Sequence, residues 1–433
     1  MFYKGKAGNG RIDMESFEMH IRSSMHGIGS IMLEELLNAD GGDYKGRTIT
    51  CGKGHDFEFI EYRDKKLLTV LGNMKVKRAY YYDKECKVGF CPKDAALGVE
   101  GTSISPGVRR IMARVGAYRP FAIGEEDIRE MAGISVNAKE IERVSHKLGD
   151  EVEEFIKEQA VTSLAESEKV ISVKTIPKLY ICMDGTGVPV VKAETAGRQG
   201  KGEDGQAKTR EVKLGCVFTQ TGVDKNGYPV RDEGSTTYVG AIETAEEFSH
   251  RIYAEAKRRG IDSAKNVCVL GDGALWIWNI AEEQFPDAAQ IVDLCHAREH
   301  YWNVARVYFG NDAPQMNEWA ERRREELDTG KVEDVIAAIK ELSASAGKEK
   351  GVYEREISYF EKNKERMRYD KFRREGFFVG SGVLEAGCRS VIGQRLKQSG
   401  MHWTVKGANN IIALRCCYFS NRWEDFWEYR AAA

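Results

Sequence analysis

Between Lys178 and Phe309 the chain passes from one hydrophobic rhythm to another, and the order of those rhythms restricts the fold more than any other feature. Runs of strand-forming residues at 178–184, 211–219 and 235–240 come first, with a polar, glycine-rich loop at 194–209 between the first two. A helical pattern over 243–260 follows, then a strand at 266–271, a helix at 274–284, a strand at 288–293 and a helix at 296–309. Three strands in meander followed by helix and strand in alternation predict an α/β sheet of mixed direction.

The flanking segments are different in kind. At 433 residues the chain exceeds one ordinary core, so two or three domains are expected. From Asp13 to Asn38, Phe17, Ile21, Ile28, Ile31 and Met32 recur at helical spacing and predict an amphipathic helix. From Gly46 to Asp94 the pattern alternates, as in Phe57 and Phe59 or Met74 and Val76, with breaks at Arg63-Asp64 and Gly72-Asn73, which predicts a small antiparallel meander. Residues 104–160 are helical, with a turn at Ala132-Gly133-Ile134-Ser135. From Pro314 to Arg374 the chain is helical and highly charged, with Val332, Val335, Ile336, Ile339 and Leu342 on one stripe, and reads as an insertion. The expected organisation is an N-terminal helix (1–45), a small β module (46–100), a helical region (101–165), the first part of an α/β domain (175–312), a helical insertion (313–376) and the return to that domain (377–433).

Composition removes several classes. With 65 basic against 67 acidic residues the net charge is −2, which argues against a globally cationic coat for nucleic acid and leaves local basic faces open. No apolar run reaches the roughly 18 residues of a membrane span, and the opening MFYKGKAGNGRIDMESF lacks the apolar core of a signal peptide, so a cytoplasmic location is expected. Of the 10 cysteines, Cys182, Cys216 and Cys268 fall inside predicted buried strands, which speaks against a disulfide framework.

Three acids stand in apolar or glycine-rich settings: Asp184 in ICMDGTGVPVV, Asp272 in VCVLGDGALW and Glu385 in VGSGVLEAGCRSVIGQRLKQSGMHW. Taken singly, an Asp-Gly pair is a common way to leave a strand, and Glu385 is an ordinary first-turn glutamate favoured by the helix dipole. Taken together, carboxylates from three separate elements suit a pair of divalent ions about 3.5–4 Å apart, the arrangement that phosphodiester cleavage uses. Mg²⁺ keeps several waters and needs few protein oxygens, and Mn²⁺ accepts the same ligands.

The motifs DGTGVPV at Asp184, LGDGALWIW at Asp272, DLCH from Asp293 to His296 and GSGVLEAGCRSVIGQRLKQSGMHW from Gly380 make the chain resemble the DDE transposases of bacterial insertion sequences, of the ISKra type and with Mutator-like relatives. The resemblance covers most of the chain. It implies a multidomain α+β protein with an RNase H-like α/β catalytic domain, a helical insertion before the glutamate, and a two-Mg²⁺ (or Mn²⁺) centre on Asp184, Asp272 and Glu385. Asp293 and His296 would lie near that centre. Arg389, Arg395 and Lys397 after the glutamate suggest a helix that faces DNA. The implied partners are double-stranded DNA, as terminal inverted repeats and as target, and a second copy of the chain in a homodimer; no membrane is implied.

The preceding half carries two further signals. Cys51, His55, Cys86 and Cys91 bracket the predicted meander, a four-ligand set compatible with structural Zn²⁺ although neither spacing is the common Cys-x2-Cys knuckle. Isolated cysteines in a small β module explain it equally. In the helical region, Ile128, Met131 and Ile134, then Ile141, Val144 and Leu148, supply the apolar faces of a helix-turn-helix pair. Lys139, Arg143 and Lys147 form a basic stripe for phosphates, with Asn137 positioned for a base edge.

Other readings exist for the same residues. Cys295, His296 and His300 could ligate a structural metal, but no fourth ligand is apparent. Asp-Gly-Thr and Gly-Asp-Gly also occur in haloacid-dehalogenase-type phosphatases, yet Cys182 stands where their nucleophilic aspartate belongs. A domesticated, non-catalytic DNA-binding protein would have lost catalytic acids, and none is missing.

Overall fold

A computed structural model describes residues 13–50, 56–85, 87–166, 175–200, 205–310, 314–344, 350–380 and 382–432. The chain divides into two compact units, Met1–Ser145 and His146–Ala433. Among the described residues no helix is long and apolar enough to cross a membrane.

The first unit contains α1 (Met14–Asn38), β1 (Thr48–Thr50), β2 (Asp56–Thr69), β3 (Gly72–Asp83), β4 (Val88–Phe90), α2 (Pro92–Ala96), α3 (Pro106–Tyr118), α4 (Phe121–Ala132) and the start of α5 (Ala138–Glu166). The four strands pair in chain order, all antiparallel, as the meander pattern predicts. The predicted break at Arg63-Asp64 is absent. Both residues stay in register opposite Arg78 and Lys77, because Arg63 lays its guanidinium 3.5 Å over the Tyr80 ring and pairs with Glu61 at 2.7 Å. The reversal is at Val70-Leu71, and Gly72 follows it at φ +113°, a conformation other residues avoid.

The predicted N-terminal helix forms as α1, and its apolar stripe is not the side that packs on the β module. The residues it covers are Ser30, Leu33 and Leu37, the leucines packing on Leu67, Met74, Val76 and Val99. Phe17, Ile21, Ile28, Ile31 and Met32 are all exposed. Polar side chains fix this seating: Ser30 Oγ donates to the Asn73 carbonyl at 2.9 Å, Glu34 accepts from the Lys75 N–H at 2.8 Å, and Asn38 accepts from the Lys77 N–H at 2.8 Å. α1 thereby closes the open edge of β3.

α4 ends on Gly133 at φ +65°, a left-handed C-cap, and the turn runs on to Asn137 before α5. Ile128, Ile134, Ile141 and Val144 are buried as expected, whereas Met131 is 69% exposed and Val136 of the turn is buried instead.

The second unit continues α5 and adds β5 (Ile176–Pro189), β6 (Thr209–Gln220), the short hairpin β7 (Gly222–Val223) and β8 (Pro229–Val230), β9 (Thr237–Ala241), α6 (Ala245–Arg258), β10 (Ala264–Gly271), α7 (Leu275–Gln284), β11 (Ala289–Val292) and α8 (Leu294–Phe309). A helical block follows: α9 (Pro314–Asp328), α10 (Val332–Ala344), α11 (Lys350–Asn363) and α12 (Tyr369–Arg374). The chain ends with α13 (Gly382–Gly387), a π-helical turn (Cys388–Gly393), α14 (Gln394–Leu396), α15 (Val405–Phe419) and α16 (Trp423–Ala432).

The main sheet has the order β11-β10-β5-β6-β9, parallel from β11 to β5 and antiparallel from β5 to β9. It is the mixed sheet that the hydrophobic rhythms predict. Leu179 to Met183 are all buried, as a central strand covered on both faces requires. Gly215 leaves room for Ile252 of α6, since a Cβ there would lie 2.6 Å from its Cδ1. The outer edge of β9 is closed by α15: Ser420 Oγ accepts from the Tyr238 N–H at 2.8 Å, and Asn409 Oδ1 accepts from the Ile242 N–H at 2.7 Å.

Candidate active site

Strand register brings the acids together. Met183, Gly271 and Val292 lie opposite one another across β5, β10 and β11, so the next residue in each, Asp184, Asp272 and Asp293, forms a row where the parallel pairing of the three strands stops. The spacing between such strands is about 4.8 Å. The Asp293 N–H continues the ladder by donating to the Gly271 carbonyl at 2.8 Å.

Asp184 lies within its strand and not at its end. β5 runs on to Pro189 because β6 keeps pairing with it, Glu211 opposite Gly187 and Thr209 opposite Pro189, after β10 has stopped. One Asp184 oxygen accepts from the Gly185 N–H at 2.7 Å; the other accepts from the Cys388 thiol at 3.2 Å. Burial lifts this carboxyl above its ordinary value, the thiol opposes that, and the Asp272 charge adds to it.

Asp272 makes the turn that its Asp-Gly pair predicts. Its Oδ1 accepts from the Ala274 N–H at 2.9 Å, and Gly273 passes through φ +101° beneath the Tyr359 ring. The Tyr359 hydroxyl donates to the Asp272 carbonyl at 2.9 Å, and its ring stacks on His300 with centroids 3.6 Å apart. His300 Nδ1 in turn hydrogen-bonds the carboxylate of Glu356, which is buried. His300 is therefore engaged with α11 and does not join Cys295 and His296 in the metal set considered above.

Asp293 is wholly buried and caps α8, its Oδ1 accepting from the His296 N–H at 2.9 Å. The His296 ring lies 3.6 Å from Glu299. Glu385 projects from α13 toward this cap: ligand atoms of Asp293, Cys295 and Glu385 lie within 4.8 Å of one another. This acidic and thiol cluster can hold a metal ion, and its donor set alone does not assign the metal.

The glutamate is held in place by contacts at each end of its segment. Before it, the Leu294 N–H donates to the Val379 carbonyl at 2.9 Å and the Phe378 N–H donates to Tyr180 Oη at 3.2 Å. After it, the π turn presents Cys388 to Asp184, and the buried Arg415 donates to the carbonyls of Ser390 and Val391. Trp403 ties the far end back to the overhang of β5, donating its N–H to the Pro189 carbonyl at 3.1 Å and accepting from the Val191 N–H at 2.9 Å.

No ion pair among the described residues joins a lysine or arginine to Asp184, Asp272 or Glu385. Two unit charges about 5 Å apart repel by roughly 3 kcal/mol at an effective dielectric near 20. Carboxylates that no lysine or arginine ion pair neutralises are the setting in which bound cations supply the compensating charge.

The basic residues separate into two groups. Arg389 and Lys397 are exposed, Lys397 donating to Thr186 Oγ1 on the β5 overhang. Arg395 corrects the expectation of a DNA-facing residue: it is fully buried, 4.9 Å over the Trp403 ring, and burial with the neighbouring Arg415 pushes its guanidinium down to about 10. On α5, Lys139, Arg143 and Lys147 are exposed. Asn137 is used differently from the expected base contact: its Oδ1 accepts from the Glu140 N–H at 2.9 Å while Glu140 accepts from the Asn137 N–H at 3.0 Å, a reciprocal cap on the helix. Of the zinc set, Cys51, His55 and Cys86 lie outside the described residues; Cys91 is buried at the start of α2, and burial pushes its thiol up.

The sequence pattern of one family, described as an uncharacterised protein family, UPF0236, matches residues 12–426. The chain belongs to UPF0236. No curated protein matches this UPF0236 chain. Sequence reasoning missed Cys388, Tyr359 and Glu356 at the site, and placed Cys295 in a different metal set, with His296 and His300 and not with Asp293 and Glu385. Cys388 could have been found from its position three residues after Glu385, where a helix brings side chains to one face; Tyr359 and Glu356 lie in the helical block and give no local signal.

Proposed function

We propose that this chain is a DNA transposase that cuts a DNA strand and transfers its end at a divalent-metal centre on Asp184, Asp272 and Glu385. The observation that carries the reading is the row of carboxylates one residue beyond the last shared register of β5, β10 and β11, closed by Glu385 from α13. The sheet order β11-β10-β5-β6-β9, with α9–α12 between the last strand and the glutamate, agrees with an RNase H-like catalytic domain carrying a helical insertion. Ligands of α/β sheets settle at the carboxyl ends of the parallel strands, where these acids are.

When bound, Mg²⁺ or Mn²⁺ would activate the attacking oxygen and stabilise the leaving oxygen. The chain's own residues do the rest. Asp293 orients α8 and stands beside Glu385, the Cys388 thiol fixes the rotamer of Asp184, and Tyr359 holds the turn that aims Asp272. His296, in the first turn of α8 after Asp293, would position a substrate phosphate. Arg389 and Lys397 would contact the DNA backbone, as would Lys139, Arg143 and Lys147 on α5. In this scheme water cleaves a phosphodiester to leave a 3′ hydroxyl, and that hydroxyl then attacks a phosphodiester of the target, the displaced 3′ oxygen leaving with its proton.

The test is strand release from a DNA fragment carrying the inverted repeat that flanks the gene, with Mg²⁺ or Mn²⁺. Asp184→Ala, Asp272→Ala and Glu385→Ala should each lower cleavage by more than about 10³-fold, the scale for a member of a group that acts as a unit, and retain binding of the end in a mobility-shift assay. Cleavage retained in all three would overturn the reading. The phosphatase alternative has no support at Cys182, which is fully buried within β5.

A further inference from the structure

We propose that Asp293, Cys295 and Glu385 form a site for a thiophilic divalent cation of the Zn²⁺ or Cd²⁺ kind, apart from any Mg²⁺ held by Asp184 and Asp272. Their ligand atoms, two carboxylate oxygens and one sulfur, lie within 4.8 Å of one another. Among the described residues no other group of three such side chains comes as close, and neither Asp184 nor Asp272 belongs to it.

The three donors come from pieces of backbone that are bonded together. Asp293 is the N-cap of α8 and Cys295 stands in its first turn, so the cap geometry sets the spacing of that pair. Leu294, between them, donates its N–H to the Val379 carbonyl at 2.9 Å, and Val379 leads into α13, which carries Glu385. Asp293 is wholly buried and keeps one oxygen on the His296 N–H at 2.9 Å. Cys295 and Glu385 are exposed, and among the described residues neither takes part in a hydrogen bond, an ion pair or a disulfide. One fixed, buried ligand and two solvent-facing ones are open to a cation from solution.

The sulfur selects the cation. Mg²⁺ and Ca²⁺ take oxygen ligands, whereas a thiolate favours Zn²⁺ and its softer relatives. Bonds of about 2.0–2.3 Å from Zn²⁺ to oxygen and sulfur put tetrahedral neighbours about 3.5 Å apart, so the set has to close by roughly 1 Å. Glu385 is the adaptable member, exposed in the first turn of α13, and rotation of its side chain supplies that movement. On binding, the bond from sulfur to its proton gives way to a bond from sulfur to the metal, and the proton passes to water. Three protein ligands leave the fourth position to water. The nearby imidazoles are engaged elsewhere, His296 beside Glu299 and His300 on Glu356. The donors themselves define the site, so the proposal does not rest on the catalytic reading, although the two share Glu385.

The experiment is alkylation of the full chain by iodoacetamide in a thiol-free reductant, with Cys295 followed by peptide mass spectrometry. Micromolar Zn²⁺ or Cd²⁺ should slow modification of Cys295 by about tenfold or more, and millimolar Mg²⁺ should not. Glu385→Gln keeps the size of an exposed side chain, so its circular dichroism should match that of the wild-type chain. Protection in this variant should need about tenfold more Zn²⁺ or beyond, since loss of even an outer-shell partner costs about 10–100-fold in affinity. In Cys295→Ser, Cd²⁺ should give a weaker thiolate charge-transfer absorbance than in the wild-type chain. Alkylation of Cys295 that is indifferent to Zn²⁺ and Cd²⁺, or equal protection by Mg²⁺, would overturn the proposal. So would undiminished protection in Glu385→Gln, which would mean that the thiol binds the cation alone.

Discussion

The four carboxylates reach the same place by two kinds of construction. Asp184, Asp272 and Asp293 leave neighbouring strands at one level, so their spacing is set by backbone hydrogen bonds from Met183, Gly271 and Val292. Glu385 arrives after the whole of α9–α12, and its place depends largely on side chains: Cys388 on Asp184, Arg415 on the π turn, and Tyr359 where the helical block meets the Asp272 turn, with one main-chain bridge from Trp403 to the β5 overhang. The difference teaches where the site should tolerate change. A sheet-built row survives loss of single side-chain contacts, whereas the helix-built half should respond to each of them in proportion to how much it buries.

The joint between the two halves is Gly273, and it should give the largest effect on stability. An added Cβ would lie 2.5 Å from the Tyr359 ring at a φ of +101°. Gly273→Ala should cost roughly 2–5 kcal/mol, from backbone strain and overpacking together. Tyr359→Phe removes only the hydroxyl donated to the Asp272 carbonyl and should cost about 1 kcal/mol. Denaturant unfolding of both variants checks this; equal, small losses would mean that α11 does not bear on the Asp272 turn.

A middle-sized effect is expected at Glu356, deeper in the helical block. Burial alone would raise its carboxyl, but hydrogen bonds from His300 and Arg355 prevail and hold it below its ordinary value of 4.5. A carboxyl lowered on folding contributes stability that is present above the unfolded value and is lost as pH falls through the folded one. The wild-type denaturant midpoint should therefore drop as pH is taken below about 4.5, the ordinary value of this carboxyl. Glu356→Gln should remove that part of the pH dependence and cost on the order of 1–3 kcal/mol at neutral pH, the scale of a hydrogen bond to a charged group. An unchanged acid profile in the variant would remove Glu356 from the support of the site.

The same division separates what could be read in advance. The sheet was legible because strands buried on both faces appear as continuous apolar runs, Leu179–Met183 and Cys268–Leu270, and because each helix between them shows its own period. The length of β5 was not, since Gly185-Thr186-Gly187 stays extended only through its partner β6. Arg395 reads as a surface cation and is buried because Trp403, several residues on, covers it. The seating of α1 was not legible: periodicity identifies an apolar side, and the side that packs on β3 is fixed instead by Ser30, Glu34 and Asn38. Tyr359 and Glu356 meet Asp272 and His300 across long stretches of chain, and no local pattern encodes such contacts.

The smallest effect should come from the single side-chain link between the halves, the Cys388 thiol on Asp184. Burial, and then the Asp184 charge, push this thiol well up, so it stays protonated and acts as a weak donor. Asp184 has a second donor in the Gly185 N–H, which belongs to the strand and is untouched by substitution at Cys388. Cys388→Ala should therefore change unfolding free energy by no more than about 1 kcal/mol. Its effect on strand cleavage should stay within about tenfold, since one 1.4 kcal/mol step in a barrier is a factor of ten, and Cys388→Ser, which restores a donor, should recover most of it. Cleavage rates of the two variants beside Asp184→Ala measure the contrast. A loss in Cys388→Ala as deep as in Asp184→Ala would place the thiol among the groups that bind the ions, and the helix-built half would then be part of the metal centre itself and not its support.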